Sequence, residues 1–218
     1  MTAREAILNR IADAKRLAPV QIPKEPDWNE SGFMPISMPL IDCFSKEIQE
    51  VSGECIVVGS EREAMQRLSE RMKQEDVTEL YCRDESLTKM MQDAAISVSS
   101  AAEKFVSMKI GITRCEFLVA RTGSVLVSSA HASGRQMNVF PPIHVVLAYS
   151  SQLVPYVVDA YAAMRQKYGD ALPSFVSLIT GPSRTADIEK TLVLGAHGPK
   201  KLWVLIVKND TGEMSSIV

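Results

Sequence analysis

The chain has 218 residues, 46% of them hydrophobic and 23% charged, which suits one domain with a well-buried core and excludes a disordered or low-complexity protein. Its formal net charge of -2 is divided between an acidic first half and a basic second half, with the charges scattered rather than striped along one face. That excludes a nucleic-acid footprint, leaves room for a small anionic ligand in the second half, and no stretch approaches the roughly 20 apolar residues of a membrane span.

Residues 1–17, MTAREAILNRIADAKRL, interleave Ile7, Leu8, Ile11 and Leu17 with charges and lack the apolar centre of an export signal. They predict an amphipathic helix on a cytoplasmic protein with no membrane partner. Pro19, Pro23, Pro26, Pro35 and Pro39 then forbid a sustained helix or central strand. The organisation read from this is an N-terminal helix and proline-rich arm over residues 1–39, followed by one α/β domain over residues 40–218. The arm can pack on its own domain or reach a partner subunit, so a homo-oligomer stays open.

Within the domain, the apolar run Cys55 to Val58 predicts a strand, and Ser60 with Glu63 has the spacing of a capping box. A helix follows with Met65, Leu68 and Met72 inward. Leu80 to Cys82 is a second strand, and Asp84 caps the next helix, which runs through Met91. Between Glu116 and Ser129 two apolar runs are split by Arg121-Thr122-Gly123, the pattern of a β-hairpin. Ile143 to Ala148 is a strand; Val154, Val157, Val158 and Tyr161 predict one apolar stripe on a long helix that Gly169 ends. Phe175 to Ile179 and Leu202 to Val207 are further strands. Short strands that are apolar throughout need cover on both faces, so the expected fold is a three-layer α/β/α arrangement with a mainly parallel sheet plus a β-hairpin.

The working surface is expected between Ser174 and Lys200. There a strand is read as opening through Thr180, Gly181, Ser183, Arg184 and Thr185 into a helix that ends near Gly195. Its free amides, two hydroxyls and a guanidinium would make an anion seat at a strand's carboxyl end. Thr185 can equally be a plain helix cap, with Asp187 and Glu189 as first-turn acids; two residues apart, these do not form a carboxylate pair. His197 and Gly198 follow, with His197 near that helix's C-terminus or in an ordinary loop. His144 is either a satisfied core histidine or a polar group reaching a pocket. Arg135 is an anion contact in a polar loop or part of an ordinary surface connection, Thr122 and Gly123 join it from the hairpin turn, and Glu116 is a base or nucleophile if buried and otherwise a solvated strand end. No catalytic residue is assigned; Glu116, Asp187, Glu189, His144 and His197 are the candidates. His131, His144 and His197 show no metal-binding spacing, and Cys43, Cys55, Cys82 and Cys115 lie too far apart for a local zinc or iron-sulfur site, so no metal is expected and the thiols should be reduced. GxSxG, Walker A and GxGxxG motifs are all missing, which removes the usual support for hydrolase and nucleotide-binding readings.

Gly111-Ile-Thr through Ala120, Thr122-Gly-Ser-Val-Leu-Val, Pro141-Pro-Ile-His144, Leu153-Val-Pro155, Ile179-Thr-Gly-Pro-Ser-Arg-Thr-Ala-Asp-Ile-Glu189 and Gly195-Ala-His-Gly-Pro199 together resemble the lactate-utilisation protein C (LUD domain) family. The resemblance implies a fold like that of ribose-phosphate isomerase and the CoA transferases. It also implies a role as an accessory, non-redox component of L-lactate oxidation to pyruvate, beside partner proteins that hold the iron-sulfur clusters, with no cofactor in this chain. Two positions depart from the family pattern: Arg121 stands where an acid is usual, and Ser133-Gly134-Arg135 where Asn-Gly-Arg is usual. The alternatives are a stand-alone sugar-phosphate isomerase or acyl/CoA-transfer enzyme on the same fold, and a small-carboxylate sensor.

Overall fold

The computed structural model describes residues 2–17, 34–186, 192–195 and 197–209. The chain divides into two compact units, one ending at Pro35 and one beginning at Ile36. In the first, helix α1 (Ala3–Leu17) starts at a reciprocal cap, with Thr2 N donating to Glu5 Oε2 at 2.7 Å and Glu5 N donating to Thr2 Oγ1 at 3.3 Å. Its apolar residues Ile7, Leu8 and Ile11 are exposed. Most of the proline-rich arm lies outside the described residues; Met34 to Pro39 form neither helix nor strand.

The second unit opens with helix α2 (Leu40–Glu50), which sequence reading passed over. Strand β1 (Glu54–Val58) leads to helix α3 (Glu61–Gln74), strand β2 (Glu79–Tyr81) to helix α4 (Glu85–Asp93), and strands β3 (Ser97–Ser99) and β4 (Ile110–Arg114) follow. Both caps form. Ser60 Oγ accepts from Glu63 N at 3.2 Å, and Asp84 Oδ1 from Leu87 N at 3.0 Å. The Glu63 carboxylate bonds the Gly59 amide at 2.9 Å instead of that of Ser60, so the box closes one residue early.

Strands β5 (Phe117–Val119) and β6 (Ser124–Ser128) form the expected antiparallel hairpin. Strand β7 (Ile143–Tyr149), the short β8 (Leu153–Val154), helix α5 (Val157–Tyr168), strand β9 (Val176–Ile179), strands β10 (Arg184–Ala186) and β11 (Leu192–Leu194), and β12 (Lys201–Val207) complete the unit. The central sheet has the order β1-β12-β7-β4-β2-β3, with every pair parallel. A second sheet has the order β8-β5-β6-β9, so the hairpin belongs to its own layer, and Val176–Ile179 pairs antiparallel with β6 outside the parallel series.

Met65, Leu68, Met72, Leu87 and Met91 of α3 and α4 cover one face of the central sheet through Ile112, Val145, Leu147 and Leu205. On the other face Val146, Ala148, Val204 and Ile206 meet Phe44 and Ile48 of α2 together with Leu118, Val125 and Val127 of the second sheet. Apolar strands covered on both sides follow from that stacking. No helix among the described residues is long and apolar enough to cross a membrane.

Two local expectations are overturned. The single stripe on α5 fails: Val154 is in β8, Val158 and Tyr161 are exposed, and the helix docks through Ala160 and Met164 on Val119 and Leu126. The small Ala160 lets helix and sheet approach closely, which a Val-Val-Tyr stripe would hold apart. The helix expected from Thr185 to Gly195 is also absent where described, because β10 and β11 form an antiparallel hairpin, Arg184 opposite Leu194 and Ala186 opposite Leu192. Thr185 is in register with Val193, and β-branched residues favour the extended form. Gly169 does end α5, with φ 55 and its N–H on Arg165 O.

Candidate functional site

Glu116 sits between β4 and β5, where its N–H donates to Leu126 O at 2.8 Å and fixes the start of the hairpin. Its side chain is fully buried. Ser128, at the end of β6, donates to Oε1 at 2.5 Å, and Tyr168 Oη donates to the same oxygen at 2.8 Å. Lys167 Nζ, from the last turn of α5, reaches Oε2 at 2.8 Å with about half its side chain exposed. His131 Nε2 lies 3.2 Å from Oε1, off the axis of a well-formed hydrogen bond. Gly169 stops α5 just after the two residues that must face Glu116, so helix length and ion pair are set together.

Burial by itself would raise the Glu116 pKa, but His131, Lys167, Ser128 and Tyr168 all act on the ionised form and hold the carboxyl well below the ordinary carboxylate range. Burial and the neighbouring carboxylate raise the Tyr168 phenol. The result is a fixed anion with a half-exposed ammonium over it. Such a carboxylate is a weak base, because its lone pairs are already committed to donors.

The remaining candidates fall elsewhere. At the opposite end of the second sheet, about 13 Å away for four residues of strand, Ser124 Oγ bonds Thr122 Oγ1 and Thr180 Oγ1, each at 2.7 Å. Gly123 (φ +58) and Gly181 (φ +81) press on the α2 backbone near Ile48 and Val51, leaving no room for a Cβ. Gly123 and Gly181 therefore sit against α2 and the residue that follows it, with Thr122 and Thr180 held beside them through Ser124. Because β9 is not a strand of the central sheet, its end is not the carboxyl-edge crevice expected of it. Arg184 Nη2 donates to Ser52 Oγ at 2.8 Å, and Arg135 Nη2 to Ser174 Oγ at 2.8 Å. Ser183 contacts Gly198. Thr185 lies in β10, not at a helix cap, and Asp187 and Glu189 lie outside the described residues.

His144 is fully buried in β7, with Nε2 2.8 Å from Thr113 Oγ1 and no partner on Nδ1; burial pulls its pKa down to about 4. It is a neutral core histidine. His197 is exposed and follows strand β11 instead of a helix end. Among the described residues no three His, Cys, Asp or Glu side chains are grouped to hold a metal ion, and all four cysteines are free.

Ser128, Lys167 and Tyr168 escaped sequence reading. They lie 12, 51 and 52 residues from Glu116, and no local spacing links them.

A family model for the LUD domain matches residues 41–207. The chain belongs to the LUD domain family. Similar proteins include the lactate utilization protein C of Bacillus licheniformis, 33% identical over 56% of this chain and 52% of that one, and that of Bacillus subtilis, 35% identical over 49% and 45%. The lactate utilization protein C of Anoxybacillus flavithermus is 31% identical over 71% of this chain and 63% of that one. The chain thus spans about half the length of the curated relatives it matches. A DUF162 family protein from Deinococcus radiodurans superimposes with a TM-score of 0.58 at 15% identity, covering 77% of this chain and 96% of that one, and shares the fold.

Proposed function

We propose that this LUD domain protein serves lactate utilisation in the cytoplasm as a component without a redox centre of its own, binding a small organic anion and working beside iron-sulfur partner proteins. The observation that carries the reading is the LUD match over residues 41–207, joined to relatives that share the name lactate utilization protein C. The scattered free thiols support leaving electron transfer to partners. Glu116, ionised and committed to its donors, supports binding over proton transfer, since an isomerase would want a base poised near the working pH.

The test is growth. A Bacillus subtilis strain lacking its own lactate utilization protein C, supplied with this chain, should regain growth on L-lactate with glucose growth unchanged. Failure to grow, in cells where the strain's own protein restores growth and this chain accumulates, would overturn the reading.

A further inference from the structure

The reading above leaves the anion without a located seat: in the loop expected to hold it, Gly181 presses on Val51 O and Arg184 is spent on Ser52. At the carboxyl edge of the central sheet the described side chains of Arg114, Tyr149 and Asn209 are already partnered. Arg114 Nε is on Asp84 at 3.2 Å and its Nη2 on Ser86 at 2.8 Å, Tyr149 Oη is on Glu61 at 2.5 Å, and Asn209 is bonded to Ser150 at 2.7 Å.

The amino edge differs. Between the loop Val139–Pro142, which leads into β7, and Gly195 with residues 197–200, which lead into β12, lies a pocket of about 350 Å³, in the size range of small-molecule sites. Among the described residues its walls include Val139, Phe140, Pro142, His197, Gly198 and Lys200, none of them acidic. The larger cleft between α3 and α4, about 1280 Å³, sets Glu61, Glu70 and Asp93 against Arg62, Lys73 and Lys89 and has no preference of sign. A third, of about 210 Å³, holds Lys104 already paired with Glu79 at 2.8 Å.

The pocket's two loops are tied to each other and to the segment before β10. Pro142 O accepts from Lys200 N at 2.7 Å and from Lys201 N at 3.2 Å; Ser183 N donates to Pro199 O at 2.8 Å and Gly195 N to Ser183 O at 2.9 Å. Gly195 (φ +74) has no space for a Cβ beside Lys200, and a Cβ on Gly198 would meet that of Ser183 at 2.8 Å. Phe140 is stacked on Phe105, ring centroids 4.5 Å apart, which fixes an apolar wall that is 44% exposed. An apolar wall in a pocket also lined by one lysine and one histidine is complementary to a small molecule with an anionic head and a hydrocarbon body.

We propose that this pocket binds a small organic carboxylate, its head group on Lys200 and His197 and its carbon skeleton against Phe140, Val139 and Pro142. One ammonium matches a monoanion better than a doubly charged phosphate. The proposal rests on the small-anion reading above and gives that reading a location and a ligand class.

Isothermal titration calorimetry of the full chain with L-lactate, pyruvate and inorganic phosphate tests it. Saturable binding of at least one of the two carboxylates, tighter than phosphate, is expected, weakened at least tenfold in Lys200→Gln and in His197→Gln, largely kept in Lys200→Arg, and unchanged in Lys89→Gln on the α3/α4 cleft. An unaltered melting temperature will show that the exposed-site variants are folded. Binding that Lys200→Gln leaves intact, phosphate bound more tightly than either carboxylate, or no saturable binding of either carboxylate would overturn the assignment. The two readings fail separately. Growth on lactate restored equally by wild type and Lys200→Gln would sink the pocket alone, whereas Lys200-dependent binding without restored growth would sink the lactate role alone.

Discussion

Glu116 and His144 are both buried ionisable groups, and the protein treats them in opposite ways. Around Glu116 three hydroxyl and ammonium donors and an imidazole converge on one carboxylate, so the charged form survives burial. Around His144 a single hydroxyl, Thr113 Oγ1, is present and Nδ1 has no partner, so the neutral form wins. Burial penalises charge in both places; the supply of partners decides the outcome.

Removing the anion should be the most damaging change. Glu116→Ala leaves the Lys167 ammonium, the Tyr168 and Ser128 hydroxyls and His131 facing a void, and breaking a buried ion pair costs about 3–5 kcal/mol. The half-exposed Lys167 puts the expectation at about 3 kcal/mol, read as a lower urea midpoint with an unchanged slope. Thr113→Val attacks the other side of the comparison. It strips His144 Nε2 of its partner and should cost about 1–3 kcal/mol by the same measurement.

Acid separates the two regions without mutation. The native His144 pKa, about 4, lies below that of an unfolded histidine at about 6.5, so the unfolded chain binds more protons between these values and stability falls as pH drops through that window. Glu116 acts lower. Its depressed pKa contributes stability above the unfolded value of about 4.3 that is lost as the pH falls further. Urea midpoints from pH 7.5 to 3.5 should therefore decline in two stages, and His144→Leu should remove the first. A single stage below pH 4.5 in both proteins would show that His144 is not held neutral. The smallest effect belongs to Lys167→Met. Water screens a half-exposed ammonium and three other contacts to Glu116 persist, so a loss of about 1 kcal/mol or less is expected in the same denaturation experiment.

What was legible in the sequence follows the reach of each interaction. Ser60 and Asp84 cap helices through partners three residues away, and the β5–β6 hairpin turns within a few residues of Gly123; these are local and were read correctly. The parallel sheet was legible because strands covered on both sides must be apolar throughout. Helix α2 carried its own signal in Leu40, Cys43, Phe44 and Ile48, at helical spacing, but it follows Pro39 directly and the proline-rich arm masked it. Residues 184–186 and 192–194 went the other way, since strands of three residues acquire their register from neighbours that no short window contains. The Glu116 network is the extreme case. The acid was nominated from its position at a strand end, but Lys167 and Tyr168 come from a helix docked on the far side of the second sheet, and only the layering brings them together.

The most direct test of this account is the protonation state of Glu116 itself, followed by carbon-13 NMR of its side-chain carboxyl in labelled protein from pH 7 to the acid limit of the fold. A chemical shift that stays at the ionised value until the protein unfolds is the predicted result. A titration in the ordinary carboxylate range near pH 4, in protein that remains folded, would contradict the network and return Glu116 to the role of an available base.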